Sequence, residues 1–192
     1  MARKNEFKAD KPYSNWLSRK MPTRRQRRNF FKWMLYLLVL LILSVLQDVI
    51  MSRVRLLGAT TDLVPCAIFL FCILIGTESG CVFTLIASML YVFSGNAPSI
   101  LSLALLTVIA IVTSVFRQAY LQKGFGTTML CVSMAMFLYE GAVFLMGVAL
   151  GLTYWGRFYG FLITAALTLI AAPVLYPIGM SIGKIGGETW KE

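Results

Sequence analysis

The sequence predicts an all-α integral membrane protein with about six transmembrane helices. Of its 192 residues, 58% are hydrophobic and 14% are charged, whereas soluble domains have roughly 45–50% apolar and roughly 25% charged residues. A chain of this length cannot bury so much apolar surface in a single aqueous core. The apolar residues also form long runs between short polar breaks, which is typical of a multi-pass membrane protein.

The six predicted spans lie within residues 30–183 and follow one another with short loops. A spanning helix needs about 20 mostly apolar residues. The first span runs from Phe30 to Met51, and the second is capped by Thr61 or Asp62 and ends at Gly76. The remaining spans are predicted over residues 81–93, 97–116 (capped by Asn96), 127–152 and 158–182. Residues 184–192 are predicted to form a short C-terminal tail.

A basic segment precedes the first span. Eleven of the eighteen Lys and Arg residues lie between Arg3 and Lys32, and the densest part contains Arg24, Arg25, Arg27 and Arg28. Such segments resist transfer across the membrane and attract anionic lipid headgroups. Residues 1–29 are therefore predicted to form a partly disordered cytoplasmic tail. No folded recognition element accompanies the arginines, so nucleic acid is not an expected partner.

Six spans place both termini on the same side of the membrane. Without the tail, four basic residues would lie on one side and three on the other, which is too small a difference to orient the chain. The tail arginines therefore predict a cytoplasmic location for both termini.

The residues available for chemistry exclude most catalytic classes. The chain has no histidine, which removes imidazole general bases and imidazole metal ligands. Its four cysteines are scattered singly in apolar stretches. Four acids of the membrane region lie far apart in sequence and at different predicted depths: Asp48, Asp62, Glu78 and Glu140. We therefore expect no enzyme, no cofactor and no metal site.

Three polar residues are predicted at membrane depth. Glu140 lies almost at the centre of the fifth span, where an ionised carboxylate costs several kcal/mol. It is either a proton- or ligand-binding group or an interhelical hydrogen-bonding post, and the post is the favoured interpretation. Gln47 and Asp48 lie near the end of the first span. They either contact a neighbouring helix or are merely interfacial, and the sequence leaves that choice open.

The last span contains two prolines, Pro173 and Pro177, on either side of Tyr176. Each proline removes a helix hydrogen bond and is expected to kink the span. The kink either shapes a groove for a partner helix or is only tolerated. Pairs of glycines four residues apart also predict close helix approaches.

Five short segments, taken in their order, resemble the rod shape-determining protein MreD family. They are Thr61-Asp62-Leu63-Val64, the break around Gly76 and Gly80, Phe93-Ser94-Gly95 before Pro98, Leu138-Tyr139-Glu140, and the run from Ala171 to Pro177. The resemblance covers residues 30–183 in size, number of spans and placement of polar breaks.

This resemblance implies a non-enzymatic membrane scaffold of the bacterial cell-elongation machinery, located in the cell membrane. Such a protein binds MreC and helps couple MreB filaments to peptidoglycan synthesis by the RodA polymerase and its transpeptidase. Structural or partner-binding candidates are Gln47, Asp48, Asp62, Glu140, Pro173, Tyr176 and Pro177.

The family fold is similar to that of the substrate-binding subunits of energy-coupling-factor transporters. The alternative function is therefore a vitamin- or metal-uptake subunit. Those subunits commonly carry an Ala-x-x-x-Ala surface on the first helix, whereas residues 33–51 of this chain contain no alanine.

Overall fold

The computed structural model describes residues 24–51, 60–95, 97–121 and 124–185. Within these ranges the chain forms six α-helices and no strand. They are α1 (Arg24–Leu46), α2 (Leu63–Ile75), α3 (Thr77–Phe93), α4 (Leu101–Tyr120), α5 (Phe125–Ala149) and α6 (Phe158–Ile185). A π-helical segment, Gln47–Met51, extends α1, and a 3-10 turn, Trp155–Arg157, precedes α6. The predicted all-α class is confirmed.

Four helical segments are long and apolar enough to cross a membrane: Phe30–Val49, Leu101–Tyr120, Phe125–Ala149 and Trp155–Lys184. The chain is therefore a multi-pass membrane protein. Helices α2 and α3 are apolar but have only 13 and 17 residues. At 1.5 Å per residue they reach about 20 Å and about 26 Å, less than the hydrocarbon core of about 30 Å. The structure thus contains six apolar helices, of which two are too short for full spans.

Helix α2 is the centre of the bundle. It contacts each of the other five helices, and its residues from Leu63 to Leu74 are all buried. In contrast, the long helices expose one face of large apolar side chains, such as Leu38 on α1, Val112 on α4 and Val174 on α6. The long helices are therefore the lipid-facing shell, and α2 is the core that they surround.

Helices α3 and α4 are antiparallel, as shown by the contacts along their lengths. The hydroxyl of Ser88 on α3 pairs with that of Thr107 on α4 at 3.2 Å, and Thr77 pairs with Gln118 one helix length away. The Tyr36 hydroxyl of α1 donates to the Gly179 carbonyl of α6 at 2.9 Å. The start of α1 and the end of α6 consequently share one end of the bundle, here called the terminal end. The opposite end, near Gln47 and Asp62, is the distal end.

Both ends of α2 are capped by side chains from long helices. At the distal end, the Oε1 atom of Gln47 accepts the backbone N–H of Val64 at 3.0 Å. At the terminal end, Nη1 of Arg117 donates to the Ile73 carbonyl at 2.8 Å. The expectation that Thr61 or Asp62 caps this helix is wrong, because Asp62 occupies the N-cap position without a side-chain capping bond. A short helix surrounded by apolar side chains has no water for its terminal groups, so these partners must come from the protein.

Arg117 corrects a second expectation. The sequence predicts that the fourth span ends at Phe116 and that Arg117 is a loop charge. The structure continues α4 to Tyr120 and buries Arg117 at 8% exposure. In this position the guanidinium donates to the Ile73 carbonyl at the end of α2.

Two glycines let neighbouring helices approach α2 closely. A Cβ atom at Gly80 of α3 would lie 2.8 Å from the Cys72 carbonyl oxygen, and one at Gly179 of α6 would lie 2.5 Å from Cδ1 of Leu74. The chain reverses at Gly76, whose φ of 100° favours glycine. The predicted polar break is therefore shorter than expected, since α3 begins at Thr77 rather than at Cys81.

Other predicted boundaries shift by a few residues or fall outside the described ranges. Helix α5 spans Phe125–Ala149 instead of residues 127–152, and α6 continues to Ile185. Helix α1 begins at Arg24 and so includes the four arginines assigned to the tail, with Arg27 exposed. The predicted Asn96 cap, most of the tail and residues 186–192 lie outside the described residues.

Removing either cap of α2 is expected to destabilise the bundle. Gln47→Leu and Arg117→Met each leave a buried backbone group of α2 without its partner, which costs about 1–3 kcal/mol. In mild detergent, the melting temperature of each variant should fall by several degrees, because about 1 kcal/mol shifts Tm by roughly 2–4 °C in a chain of this size.

The controls are Arg27→Met and Arg157→Met, which change the same residue type as Arg117 at exposed positions. Exposed substitutions usually change stability by no more than about 0.5 kcal/mol. Equal melting temperatures for the cap variants and the controls would contradict the capping role.

A buried polar cluster as the candidate functional site

The cluster begins at Gln47, whose side-chain amide serves two partners. Its Oε1 atom caps α2, and its Nε2 atom donates to Oδ1 of Asp62 at 2.7 Å. Gln47 is 7% exposed, whereas the next residue, Asp48, is exposed. The sequence left open whether these two residues contact a neighbouring helix or are interfacial. In the structure Gln47 contacts neighbouring elements, and Asp48 lies at the surface of the bundle.

Asp62 connects four helices at the distal end. Its Oδ1 atom also accepts the Tyr91 hydroxyl of α3 at 3.4 Å, and its backbone N–H donates to the Thr168 hydroxyl of α6 at 3.0 Å. With Gln47 from α1, these bonds fix the start of α2 against three other helices. The tight fit explains why the segment before α2 needs a short side chain that accepts hydrogen bonds.

Asp62 lies between α1 and α2, outside the spanning segments. Desolvation by the surrounding protein atoms raises the pKa of its carboxyl to about 6, although part of the residue is exposed. The hydrogen bonds from Gln47 and Tyr91 act in the opposite direction and lower the pKa. A raised carboxyl pKa contributes stability below the ordinary pKa of an aspartate, and this contribution is lost as pH rises through about 6.

Two residues of α5, Tyr139 and Glu140, complete the cluster. They are 1% and 5% exposed. The Glu140 carboxyl interacts electrostatically with that of Asp62. The Tyr139 hydroxyl interacts electrostatically with both carboxyls. The Asp62 and Glu140 carboxyls, which are far apart in sequence, therefore lie close enough to interact electrostatically. We call Gln47, Asp62, Tyr91, Tyr139 and Glu140 the polar cluster.

Two oxygen atoms of the polar cluster are buried without a hydrogen-bond partner: the Tyr139 hydroxyl and Oε1 of Glu140. The Tyr139 hydroxyl lies beside those of Tyr91 and Ser102 but does not meet the geometry of a hydrogen bond to either. Among the described residues, nothing donates to Oε1 of Glu140. The interpretation of Glu140 as an interhelical hydrogen-bonding post stays a prediction, and no hydrogen bond at Oε1 supports it among the described residues.

The composition of the polar cluster limits its chemistry. Apart from the Gln47 amide, its side chains present only carboxyl and hydroxyl oxygens. Across the described residues, no group of three or more His, Cys, Asp or Glu side chains lies together. Cys66, Cys72 and Cys131 are buried and Cys81 is half-buried, and all four are free thiols. The arrangement can hold a proton, a hard cation or water, and it offers no activated nucleophile.

The other predicted site residues lie elsewhere. Pro173 and Pro177 are exposed on one face of α6, which continues through both as a helix. Tyr176 is half-buried near the terminal end, where its ring packs edge-on against Phe125 at a centroid distance of 4.9 Å. None of these three residues belongs to the polar cluster. Of the cluster, the sequence did not single out Tyr91, although a tyrosine in an otherwise apolar helix signals a hydroxyl that needs a partner.

Comparisons with known proteins give no match. No family model matches the chain, and neither a curated protein nor a solved structure shows significant similarity to it.

Two buried tyrosines test the assignment of partnered and unpartnered hydroxyls. Tyr36 donates to the Gly179 carbonyl, whereas the Tyr139 hydroxyl has no partner, and both are almost completely buried. Tyr36→Phe should therefore lower the free energy of unfolding by about 0.5–1.5 kcal/mol, whereas Tyr139→Phe should be neutral or stabilising. Thermal unfolding in mild detergent measures both effects, and a larger loss for Tyr139→Phe would refute the assignment.

Proposed function

We propose that the protein is a non-enzymatic membrane scaffold of the bacterial cell-elongation machinery. The observation that carries this proposal is the ordered series of five segments, from Thr61-Asp62 to Pro177, that resembles the MreD family. The multi-pass helical fold is compatible with this role. In the proposed role the protein binds an MreC-like partner and, through it, couples MreB filaments to the RodA polymerase and its transpeptidase.

The lipid-facing shell supplies surfaces through which such a partner helix can dock. Exposed apolar side chains follow one another along α1, α4 and α6, and close helix contact in a membrane relies on van der Waals packing rather than on hydrophobic exclusion of water. The exposed Pro173 and Pro177 lie on the same face of α6. We place the partner helix against this face, and the basic tail against anionic lipids on the cytoplasmic side.

The second candidate function is a substrate-binding subunit for vitamin or metal uptake. The buried polar cluster favours it, because polar groups inside a helical bundle are where such a subunit would hold a ligand. The absence of alanine from residues 33–51 weighs against it.

Depletion and pulldown test the proposed function. In a rod-shaped host, depletion of the protein should cause rounding and swelling before growth stops, and a mild-detergent pulldown should recover an MreC-like protein. Pro173→Ala with Pro177→Ala should reduce that recovery, whereas the control Pro98→Ala should leave it unchanged, because Pro98 lies before α4 and away from the α6 face.

Normal cell shape after depletion would refute the scaffold. Nanomolar binding of a vitamin, or rescue of depleted cells by an added nutrient, would establish the uptake subunit instead.

The proposed location is the bacterial cell membrane, with both termini in the cytoplasm. Reporter fusions at Lys191 should give a cytoplasmic signal, and fusions at Gly58 or Gly151 should give an external one. Neutralising Arg24, Arg25, Arg27 and Arg28 together should mix the two orientations, since the remaining charge difference is small. An external signal at Lys191 would show that an odd number of helices crosses the membrane.

A further inference from the structure

The turn between α5 and α6, residues 150–159, exposes large apolar side chains together with one cation. We call it the distal turn, because α6 ends at the terminal end and therefore begins at the distal end. Three of its aromatic residues, Tyr154, Trp155 and Tyr159, have more than half of their surface exposed. Arg157 is also exposed. Neither candidate function uses this surface.

The backbone of the distal turn is held by its own hydrogen bonds. The Leu152 N–H donates to the Gly147 carbonyl at 2.9 Å, and the Arg157 N–H donates to the Tyr154 carbonyl at 3.0 Å. At the end of α5, Gly151 adopts a φ of 70°, a conformation that favours glycine. The side chains of the turn are therefore presented from a defined backbone.

The buried ring of Phe144 on α5 anchors the aromatic side of the turn. The rings of Trp155, Phe158 and Phe161 stand edge-on to it, at centroid distances of 5.9, 5.4 and 5.0 Å. Edge-to-face contact is a preferred geometry for aromatic pairs. The Trp155 indole is thus fixed to the bundle on one side, while most of its surface remains exposed.

The distal turn carries a positive charge among these rings. The guanidinium of Arg157 lies over the Tyr154 ring, 5.5 Å from its centroid, and such a contact stabilises a cation without neutralising it. Residues 141–185 contain one other charged residue, Lys184, and no acid. The planar guanidinium is suited to phosphate, which it can bind through two parallel hydrogen bonds.

The length of α6 sets the depth of Arg157 in the membrane. The apolar segment Trp155–Lys184 has 30 residues, or roughly 45 Å at 1.5 Å per residue, and so exceeds the hydrocarbon core of about 30 Å. Its two charges, Arg157 and Lys184, lie 27 residues apart, which is roughly 40 Å of helix. A bilayer measures about 40–45 Å with its headgroup regions included. Both charges therefore reach the headgroup layers, on opposite sides.

We propose that the distal turn binds a phospholipid of the distal leaflet, with its phosphate on Arg157 and its headgroup beside Trp155 and Tyr159. Tryptophan and tyrosine favour this layer because their rings are amphipathic. The occupant is a lipid because the turn is continuous with the exposed apolar faces of α5 and α6, which include Leu145 and Leu162. The site goes beyond both candidate functions and needs neither, since it stands on the distal turn and the multi-pass fold.

Quenching of Trp155 by lipids of known depth tests its position. The full chain is reconstituted in vesicles that contain phosphatidylglycerol with a spin label either close to the ester group or at the end of the acyl chain. The Trp155 contribution is the difference between the full chain and Trp155→Phe. The label close to the ester group should quench it more strongly than the label at the chain end. Val112→Trp, on the exposed face in the middle of α4, should show the reverse order.

Titration in mild detergent tests the phosphate contact. Phosphatidylglycerol labelled close to the ester group is added to the purified full chain, and the loss of Trp155 fluorescence reports binding at the turn. Arg157→Gln should raise the half-saturating lipid fraction about fivefold, which corresponds to the ~1 kcal/mol that one arginine contributes near an anionic surface. Arg157→Lys keeps the charge and should have a smaller effect. The control Lys184→Gln, at the opposite end of α6, should leave the titration unchanged.

Competitors distinguish a lipid from a free anion. Unlabelled phosphatidylglycerol should displace the labelled lipid, whereas inorganic phosphate should not, and a diacylglycerol with the same acyl chains but no phosphate should be a weaker competitor. Displacement by inorganic phosphate would assign the site to free anions and overturn the proposal.

Three further results would each contradict the lipid site. Stronger quenching of Trp155 by aqueous iodide than by either lipid label would place the distal turn in water. Protection of Trp155 from iodide and from both labels would assign the turn to a contact between copies of the chain. Equal lipid affinities for the full chain and for Arg157→Gln would remove the phosphate contact.

Discussion

The central constraint on this fold is the need to satisfy the backbone ends of a short helix that is buried inside the bundle. Helix α2 has 13 residues and is buried along nearly its whole length. Its terminal N–H and C=O groups therefore cannot be solvated, and each unsatisfied group would cost several kcal/mol in a hydrocarbon environment. Gln47 and Arg117 meet this demand from two long helices, one at each end of α2.

The same constraint connects the core to the polar cluster. Gln47 uses its oxygen to cap α2 and its nitrogen to hold Asp62, so the position of the acid follows from the capping of the helix. Asp62 in turn orders Tyr91 and Thr168 around the start of α2. The hydrogen-bonded part of the polar cluster is therefore anchored to the start of α2, whereas its two unpartnered oxygens lie on α5.

Hydropathy alone predicted the fold class and the six apolar helices, because long apolar runs and polar breaks are local properties of the chain. It could not show that the second helix is the centre of the bundle, since a buried helix and a lipid-facing helix are equally apolar. The capping of α2 by Arg117 could not be predicted from the sequence either. An arginine at the end of an apolar run has the same local sequence pattern whether its side chain faces water or donates to a buried carbonyl.

The candidate site was predicted in its parts but not in its assembly. Glu140 was recognised as a polar residue at membrane depth, Gln47 as a residue that either contacts a neighbouring helix or is interfacial, and Asp62 as a capping and partner-binding candidate. Their meeting depends on the packing of helices that are distant in sequence, and no periodic pattern encodes that. Tyr91 was missed for the same reason, because its hydroxyl acquires a role only when Asp62 lies beside it.

The most direct test of the account is a map of the residues that touch lipid. A lipid carrying a photoactivated carbene precursor in its acyl chain can be reconstituted with the full chain, and labelled peptides can be identified by mass spectrometry. The account predicts labelling of exposed positions on the long helices, such as Leu38, Val112 and Val174, and none between Leu63 and Leu74. Labelling of that segment at the level found on α4 would contradict a central α2.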